Sequence, residues 1–391
     1  MTKKNLSESI LQKRINRFKS IKRGYYSLII LISLYVLSMC APLIFNSKAI
    51  MVKYNDDYYF PLFNSIFNNK NIEAKDLGQF EIKGKKKYGQ PHYRLLKKQY
   101  QKQNNGNWVI MPLYPYDPYE EVISEKDEQF TDMNGNGVWD PSEDFIDENG
   151  NGIADKYKYT NFPNSQHLLG TDNQGRDVLS RLIYGFNISI TFAIVCCFLS
   201  YIIGIIIGGT LGYFGGKVDL FGLRIIEIYG SIPFLFMLMI LATFIKPNVY
   251  ILASMYVFLT GWIGITWYVR GEFLREKSKD YVSAAVSMGQ SHWNVMFRHI
   301  LPNSLTPVIT FAPFAIIGYI SALVSLDYLG FGLQPPTPSW GELMAQGRNN
   351  LQYWPLIISP LFSIGATLFL ITFIGEAIRE AFDPKVHSRL R

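Results

Sequence analysis

Two acidic stretches carry the most explicit coordination chemistry in this 391-residue chain. In Asp132-Met-Asn-Gly-Asn-Gly-Val-Trp-Asp-Pro-Ser-Glu143, oxygen donors fall at positions 1, 3 and 5 (Asp132, Asn134, Asn136), with a glycine at 6 and the Val138 carbonyl at 7. Asp140 at 9 and Glu143 at 12 complete the spacing that wraps a glycine-pivoted loop round one hard cation such as Ca2+. Fifteen residues on, Asp147, Asn149, Asn151 and Asp155 repeat the first nine positions, but position 12 is Lys158, which is no ligand. Pro141 lies inside the first loop and Pro163 soon follows the second, so an isolated or dockerin-like loop is expected rather than a helix-flanked one. The competing reading is a pair of Asn-Gly turns with solvated acids. The five histidines and three cysteines are dispersed, the cysteines within apolar runs, and suggest neither a catalytic centre nor disulfides.

A second functional pattern lies between Arg270 and Asn303. Lys279 to Met288 reads as a short helix with Tyr281, Ala284, Ala285 and Met288 on one face, ended by Gly289 in a left-handed turn. Ser291 can cap a second helix presenting Trp293, Met296, Phe297 and Ile300, with Pro302 expected to stop it. Two amphipathic helices at a glycine corner make a rigid knob; a pair lying on the lipid surface is the alternative.

The elements that position these features are apolar spans. The composition is 48% apolar and 18% charged, and uncharged runs long enough to cross ~30 Å of hydrocarbon exclude a purely soluble protein. Six spans are expected, over Tyr25–Phe45, Ile188–Tyr213, Ile225–Ile245, Val249–Tyr268, Pro307–Leu326 and Pro355–Gly375. Eight Lys and Arg before Tyr25 against one Glu place the N-terminus inside, and six spans return the C-terminus to the cytoplasm. The knob is then cytoplasmic and the acidic loops lie outside. The net charge of +7 follows this topology, with no basic stripe for nucleic acid. Gly204, Gly208 and Gly212 leave one face of the second span nearly bare, for packing inside the bundle or for a dimer contact.

Several stretches resemble one family. Ser283, Ala284, Ala285, Gly289, Ile300, Leu301 and Pro302 are similar to the EAA loop of ABC-importer permeases, with Ser283 where that loop carries Glu. Leu169-Gly-Thr-Asp-Asn-Gln-Gly-Arg-Asp-Val-Leu-Ser-Arg-Leu-Ile-Tyr-Gly185 and Leu329-Gly-Phe-Gly-Leu-Gln-Pro-Pro-Thr-Pro-Ser-Trp-Gly341 resemble hallmarks of the dipeptide, oligopeptide and nickel permeases of the second-subunit type. Gly375 to Pro384 and Tyr58 to Phe63 look closest to the microcin C and oligopeptide branch.

The resemblance implies an all-α membrane protein of the type I importer (MetI-like) kind. Its expected parts are a basic N-terminus and first span (1–46), an extracytoplasmic insertion (47–185), the permease domain (186–383, EAA loop 270–305) and a cytoplasmic tail (384–391). Implied partners are a second permease completing the pore, two ABC ATPases gripping the EAA loops, an extracytoplasmic solute-binding protein, a peptide substrate and the bacterial inner membrane. No Gly-x-x-x-x-Gly-Lys-Ser/Thr loop occurs, so the chain is expected to be no enzyme and to need no cofactor for transport, with Ca2+ outside as the one ion considered. The rival expectation is a membrane-anchored, calcium-dependent binding or adhesion protein, for which six spans and a structured inner loop are superfluous.

Overall fold

The computed structural model of the chain describes residues 10–67, 72–79, 89–120, 160 and 162–383. Both acidic loops, Asp132 to Glu143 and Asp147 to Asp155, lie outside the described residues. In chain order the helices begin with α1 (Ile10–Ser20), α2 (Lys22–Met39) and α3 (Ala41–Ile44). The segment expected outside follows with β1 (Met51–Tyr54), β2 (Asp57–Tyr59), α4 (Pro61–Phe67), α5 (Tyr93–Gln103) and β3 (Trp108–Ile110). Then come α6 (Val178–Phe214), α7 (Gly216–Gly230), α8 (Phe234–Phe244), α9 (Val249–Tyr256), α10 (Ile263–Lys277) and α11 (Asp280–Ser287). The last are α12 (His292–Asn294), α13 (Leu301–Tyr328), α14 (Trp340–Asn349) and α15 (Pro355–Phe382). The fold is overwhelmingly helical, as expected, with one small sheet among the described residues.

Among the described residues three continuous helices are long and apolar enough to cross a membrane: Val178–Phe214, His292–Tyr328 and Pro355–Phe382. Three bent pairs raise the number to six if each counts as one span: α1 with α2 (91°), α7 with α8 (68°), and Val249–Gly261 with Ile263–Lys277 (52°). Two of the bends have chemical causes. Pro233 lacks a backbone N–H and forces Ile232 away from helical geometry, so the expected span Ile225–Ile245 breaks there. A π-helical turn over Val257–Gly261 interrupts the next pair.

The chain divides into two compact units. The first, residues 1–36, 186–335 and 362–391, holds most of the spans. Its glycine stripe explains how α6 meets α10: a Cβ on Gly204 would lie 2.6 Å from Ile265, on Gly208 2.5 Å from the Thr266 carbonyl, and on Gly212 2.7 Å from the Arg270 carbonyl. Packing within the chain, the first of the two expectations, therefore accounts for the stripe. Arg270 also grips Asp219 of α7 through two hydrogen bonds of 2.5 Å.

The second unit, residues 37–185 and 336–361, holds most of the segment expected outside the membrane and is termed the outer unit after that expectation. Its sheet has the order β2-β1-β3, both pairs antiparallel, with Val52 opposite Tyr59 and Val109. One sheet face packs with α5 around Ala49, Val52, Leu77, Tyr93, Leu96, Tyr100 and Val109. Arg94 of α5 donates a bidentate pair to Glu120 at 2.8 and 3.1 Å and lies 4.6 Å over the Tyr116 ring. Burial holds the Glu120 carboxyl above the usual carboxylate range despite that partner.

Candidate functional site

The knob starts where α10 ends. Ser278 and Lys279 turn the chain into the eight-residue α11, whose Val282 and Ala285 are buried one helical turn apart. They join Val295, Met296 and Ile300 in one cluster with Val269 and Phe273 of α10 and Val308 of α13. The knob is thus built on the roots of two spans. The expected common face is corrected in part, because Ala284 and Met288 point to solvent with Ser283, while Ala285 and half-buried Tyr281 face inward. A helix this short rests one narrow i, i+3 line on its support, and Val282 with Ala285 supplies it.

Gly289 forms the corner with φ +76°. Its N–H donates to the Val286 carbonyl at 2.9 Å and that of Gln290 to the Ala285 carbonyl at 3.3 Å, the paired bonds of a Schellman ending. Ser291 caps the next helix, its hydroxyl accepting from the Asn294 N–H. Pro302 does not stop that helix: His292 to Tyr328 is continuous. The π-helical stretch Val295–Ile300 lies immediately before Leu301 and Pro302, and widened turns of this kind let a helix absorb a missing N–H. The Asn303 amide donates to the His299 carbonyl at 2.9 Å within the same turn.

Polar bonds lock the knob to its roots. The Glu276 carboxylate, at a position only 2% exposed, accepts from Lys279 Nζ at 2.7 Å and the Tyr281 hydroxyl at 2.9 Å. Asn303 donates to that hydroxyl at 3.3 Å, so one chain of bonds joins α10, α11 and α13. Burial, with the bond to Glu276, pushes the Tyr281 pKa up and keeps its proton in place. His299 Nε2 sits 2.7 Å from Gln290 Oε1 across the corner, and His292 Nδ1 sits 2.8 Å from the Tyr213 hydroxyl at the end of α6. The free surface, otherwise mostly polar, carries an aromatic patch: Trp293 is 69% and Phe297 44% exposed, their rings stacked at 5.5 Å and 8°, with Met288 at 71% beside the corner in sequence.

A second constellation lies in the outer unit. Asp172, Arg176 and Arg181 are buried, and Glu342 of α14 nearly so. Arg176 donates to Asp172 at 2.8 Å and to Glu342 at 3.0 Å; Arg181 donates to the other Glu342 oxygen and to the carbonyls of Pro118 and Pro336 at 2.9 and 3.1 Å. Gln346 bonds Glu342 at 3.0 Å, and the Trp340 indole donates to the Leu182 carbonyl at 2.9 Å. Nearby, Asp177 takes the Tyr114 hydroxyl at 2.8 Å and His167 Nδ1 at 2.8 Å. Two cations against two anions leave this interior electrically balanced.

Residues 200–388 match the family model described as the binding-protein-dependent transport system inner membrane component. The inner membrane ABC transporter permease protein YejE of Escherichia coli K12 is 36% identical over 95% of this chain and 96% of its own length. The peptidoglycan transport system permease protein YejE of Agrobacterium fabrum is 36% identical over 96% of this chain and 93% of its own. The oligopeptide permease OppC of Haemophilus influenzae is 38% identical over 56% and 70%. The chain is an ABC transporter permease.

The permease brings the expected EAA-loop residues together, though in different settings. Ala285 and Ile300 are core, Leu301 is half-buried, and Ser283, Ala284, Gly289 and Pro302 are exposed. Glu276, Gln290, His299 and Glu342 were not legible as site residues, whereas Arg176, Arg181 and Asn303 stand inside the recognised motifs. The two hallmark stretches before α6 and before α14 are held together by the Arg181 bonds to the Pro336 and Glu342 side. Arg224 and Glu227 form the exposed helix-face pair their spacing suggests, at 2.7 Å. Among the described residues no cluster of three or more His, Cys, Asp or Glu is arranged to hold a metal.

Proposed function

We propose that this permease forms half of the pore of an importer for oligopeptides or peptide conjugates of the microcin C kind, and that its knob couples the pore to ATP hydrolysis by partner subunits. The relatives named for oligopeptide and dipeptide transport support the substrate class. The carrying observation for coupling is the exposed Trp293–Phe297 stack on a knob bonded to two spans through Glu276, Tyr281 and Asn303. An apolar aromatic surface on a rigid lever is what a partner groove can grip and move.

In this reading two cytoplasmic ATPases each hold one knob, and closing on ATP draws the knobs together and turns the pore outward. A second permease completes the pore, and an outside solute-binding protein delivers the peptide. The N- and C-termini are cytoplasmic. With Ser283 in place of an acid, the contact at this position carries no charge and is limited to what an exposed hydroxyl can make. The domain divisions of this reading are 1–46, 47–185, 186–383 and 384–391. The acidic loops at Asp132 to Glu143 and Asp147 to Asp155 take Ca2+ as a structural ion outside the membrane. The test is co-purification of the co-expressed ATPases with Trp293→Ala/Phe297→Ala: the variant inserts normally but loses its ATPases. Full retention of the ATPases would remove the coupling assignment.

A further inference from the structure

The most exposed large apolar side chain among the described residues is not on a span. Leu113, in the outer unit, is 89% exposed. It is held firmly, because Pro112 precedes it and Tyr114 follows with both backbone groups engaged: its N–H donates to the Ile44 carbonyl at 3.0 Å and its carbonyl accepts from Asn46 at 3.2 Å. The Tyr114 ring also packs on Phe45 at 5.3 Å, and its hydroxyl on Asp177 at 2.8 Å. Ile44 closes α3, five residues past Met39, where the first apolar helix ends. Leu113 stands one residue, about 3.8 Å of chain, from a residue bonded to that exit point. The polar headgroup layer outside the hydrocarbon is itself roughly 5–7 Å deep on each side.

A lone exposed leucine is unremarkable, but this one adjoins a residue bonded to the end of a segment with further exposed apolar side chains. Leu37 (57%) and Met39 (60%) are exposed at the end of α2 and Leu43 (43%) on the following α3, at the end of the first apolar segment. We infer that Leu113, with Leu43, forms a membrane-contact wedge of the outer unit, seated in the outer-leaflet interface beside the first span. The bilayer is the occupant because the wedge is fixed to the place where the chain leaves it. The wedge gives the outer unit an attachment to the lipid besides its covalent links.

The test uses the full-length permease in phosphatidylethanolamine and phosphatidylglycerol vesicles, with Cys40, Cys196 and Cys197 replaced. A nitroxide is placed at Leu113→Cys, at Leu43→Cys, at Ile32→Cys on the exposed face of α2 and at Gln103→Cys on the exposed end of α5. Collision with oxygen, which partitions into lipid, is compared with collision with a water-soluble nickel chelate. The ratio at Leu113 and Leu43 should exceed that at Gln103 several-fold and approach that at Ile32. A ratio at Leu113 equal to that at Gln103 would show a water-facing leucine and overturn the inference. Exclusion of both reagents at Leu113 would mean that protein covers it, and would overturn it equally.

Discussion

Gly289 offers the sharpest test of the knob, because its surroundings isolate a single physical term. A Cβ added there meets no heavy atom within 4 Å, so a substitution creates no clash and its whole cost is backbone conformation. At φ +76° an L-residue pays about 1–3 kcal/mol, while asparagine, which visits this region readily, pays much less. A β-branched residue pays most. If a strained corner escapes to another geometry, the fraction of knobs competent to dock falls, and the apparent ATPase affinity falls with it. A strain of 1–2 kcal/mol corresponds to a factor of about 5–30. The expected order of ATPase affinity is therefore Gly289, then Gly289→Asn, then Gly289→Ala, then Gly289→Val, measured by titrating purified ATPase onto permease in nanodiscs. Uptake in proteoliposomes should follow the same order while insertion stays constant. If Gly289→Asn weakens binding as much as Gly289→Val, bulk at the surface and not φ decides the outcome, and the argument fails; wild-type affinity for Gly289→Val would refute it outright.

Three further outcomes follow from the structure and the sequence. Glu342→Ala leaves two buried guanidinium groups sharing the single carboxylate of Asp172, one positive charge uncompensated, and should cost about 3–5 kcal/mol of stability, read from thermal unfolding in detergent; a loss below about 1 kcal/mol would mean the network relaxes into water. In sealed cells an impermeant thiol reagent should label Gln103→Cys and spare Ser278→Cys in a background lacking the native cysteines, and the reverse pattern would invert the topology. Calcium should bind the intact permease with a dissociation constant of about 10⁻⁴ to 10⁻³ M, the range of extracellular modules, because Asn replaces Asp at two ligand positions. That heat should vanish in Asp132→Ala/Glu143→Ala, and its persistence would return the loops to solvated turns.

Much of the fold was legible because its driving force is local and one-dimensional. Uncharged runs mark helices that must satisfy their own backbone in lipid, and all six expected runs coincide with helical segments. The bends were less legible: Pro233 breaks one span, yet Pro307 and Pro313 lie within continuous α13 and Pro302 opens it. A proline's effect depends on whether neighbouring turns can widen around it, as the π-helical stretch before Leu301 shows. The three-stranded sheet was not read at all, since strands of three or four residues leave too few alternations to detect.

The site divides along the same line. Gly289 announced itself because a positive φ is a demand of one residue, and Ser291 because capping needs only the next three. Glu276 did not, because nothing in its sequence neighbourhood distinguishes a carboxylate that will be 2% exposed from one on a solvated helix face. Its burial follows from Phe273 and Val269 turning that side of α10 toward the knob, and its charge is compensated by Lys279 and Tyr281 arriving from the next helix, with Arg275 at 3.6 Å on its own helix. The same holds for Glu342, whose partners Arg176 and Arg181 are more than 160 positions away. Charge compensation in a buried site is set by three-dimensional neighbours, so a motif can point to the cations while the matching anion stays hidden. This asymmetry makes Glu276 and Glu342 informative targets: each carboxylate is ordinary in sequence, and each holds together elements that the recognised motifs only mark.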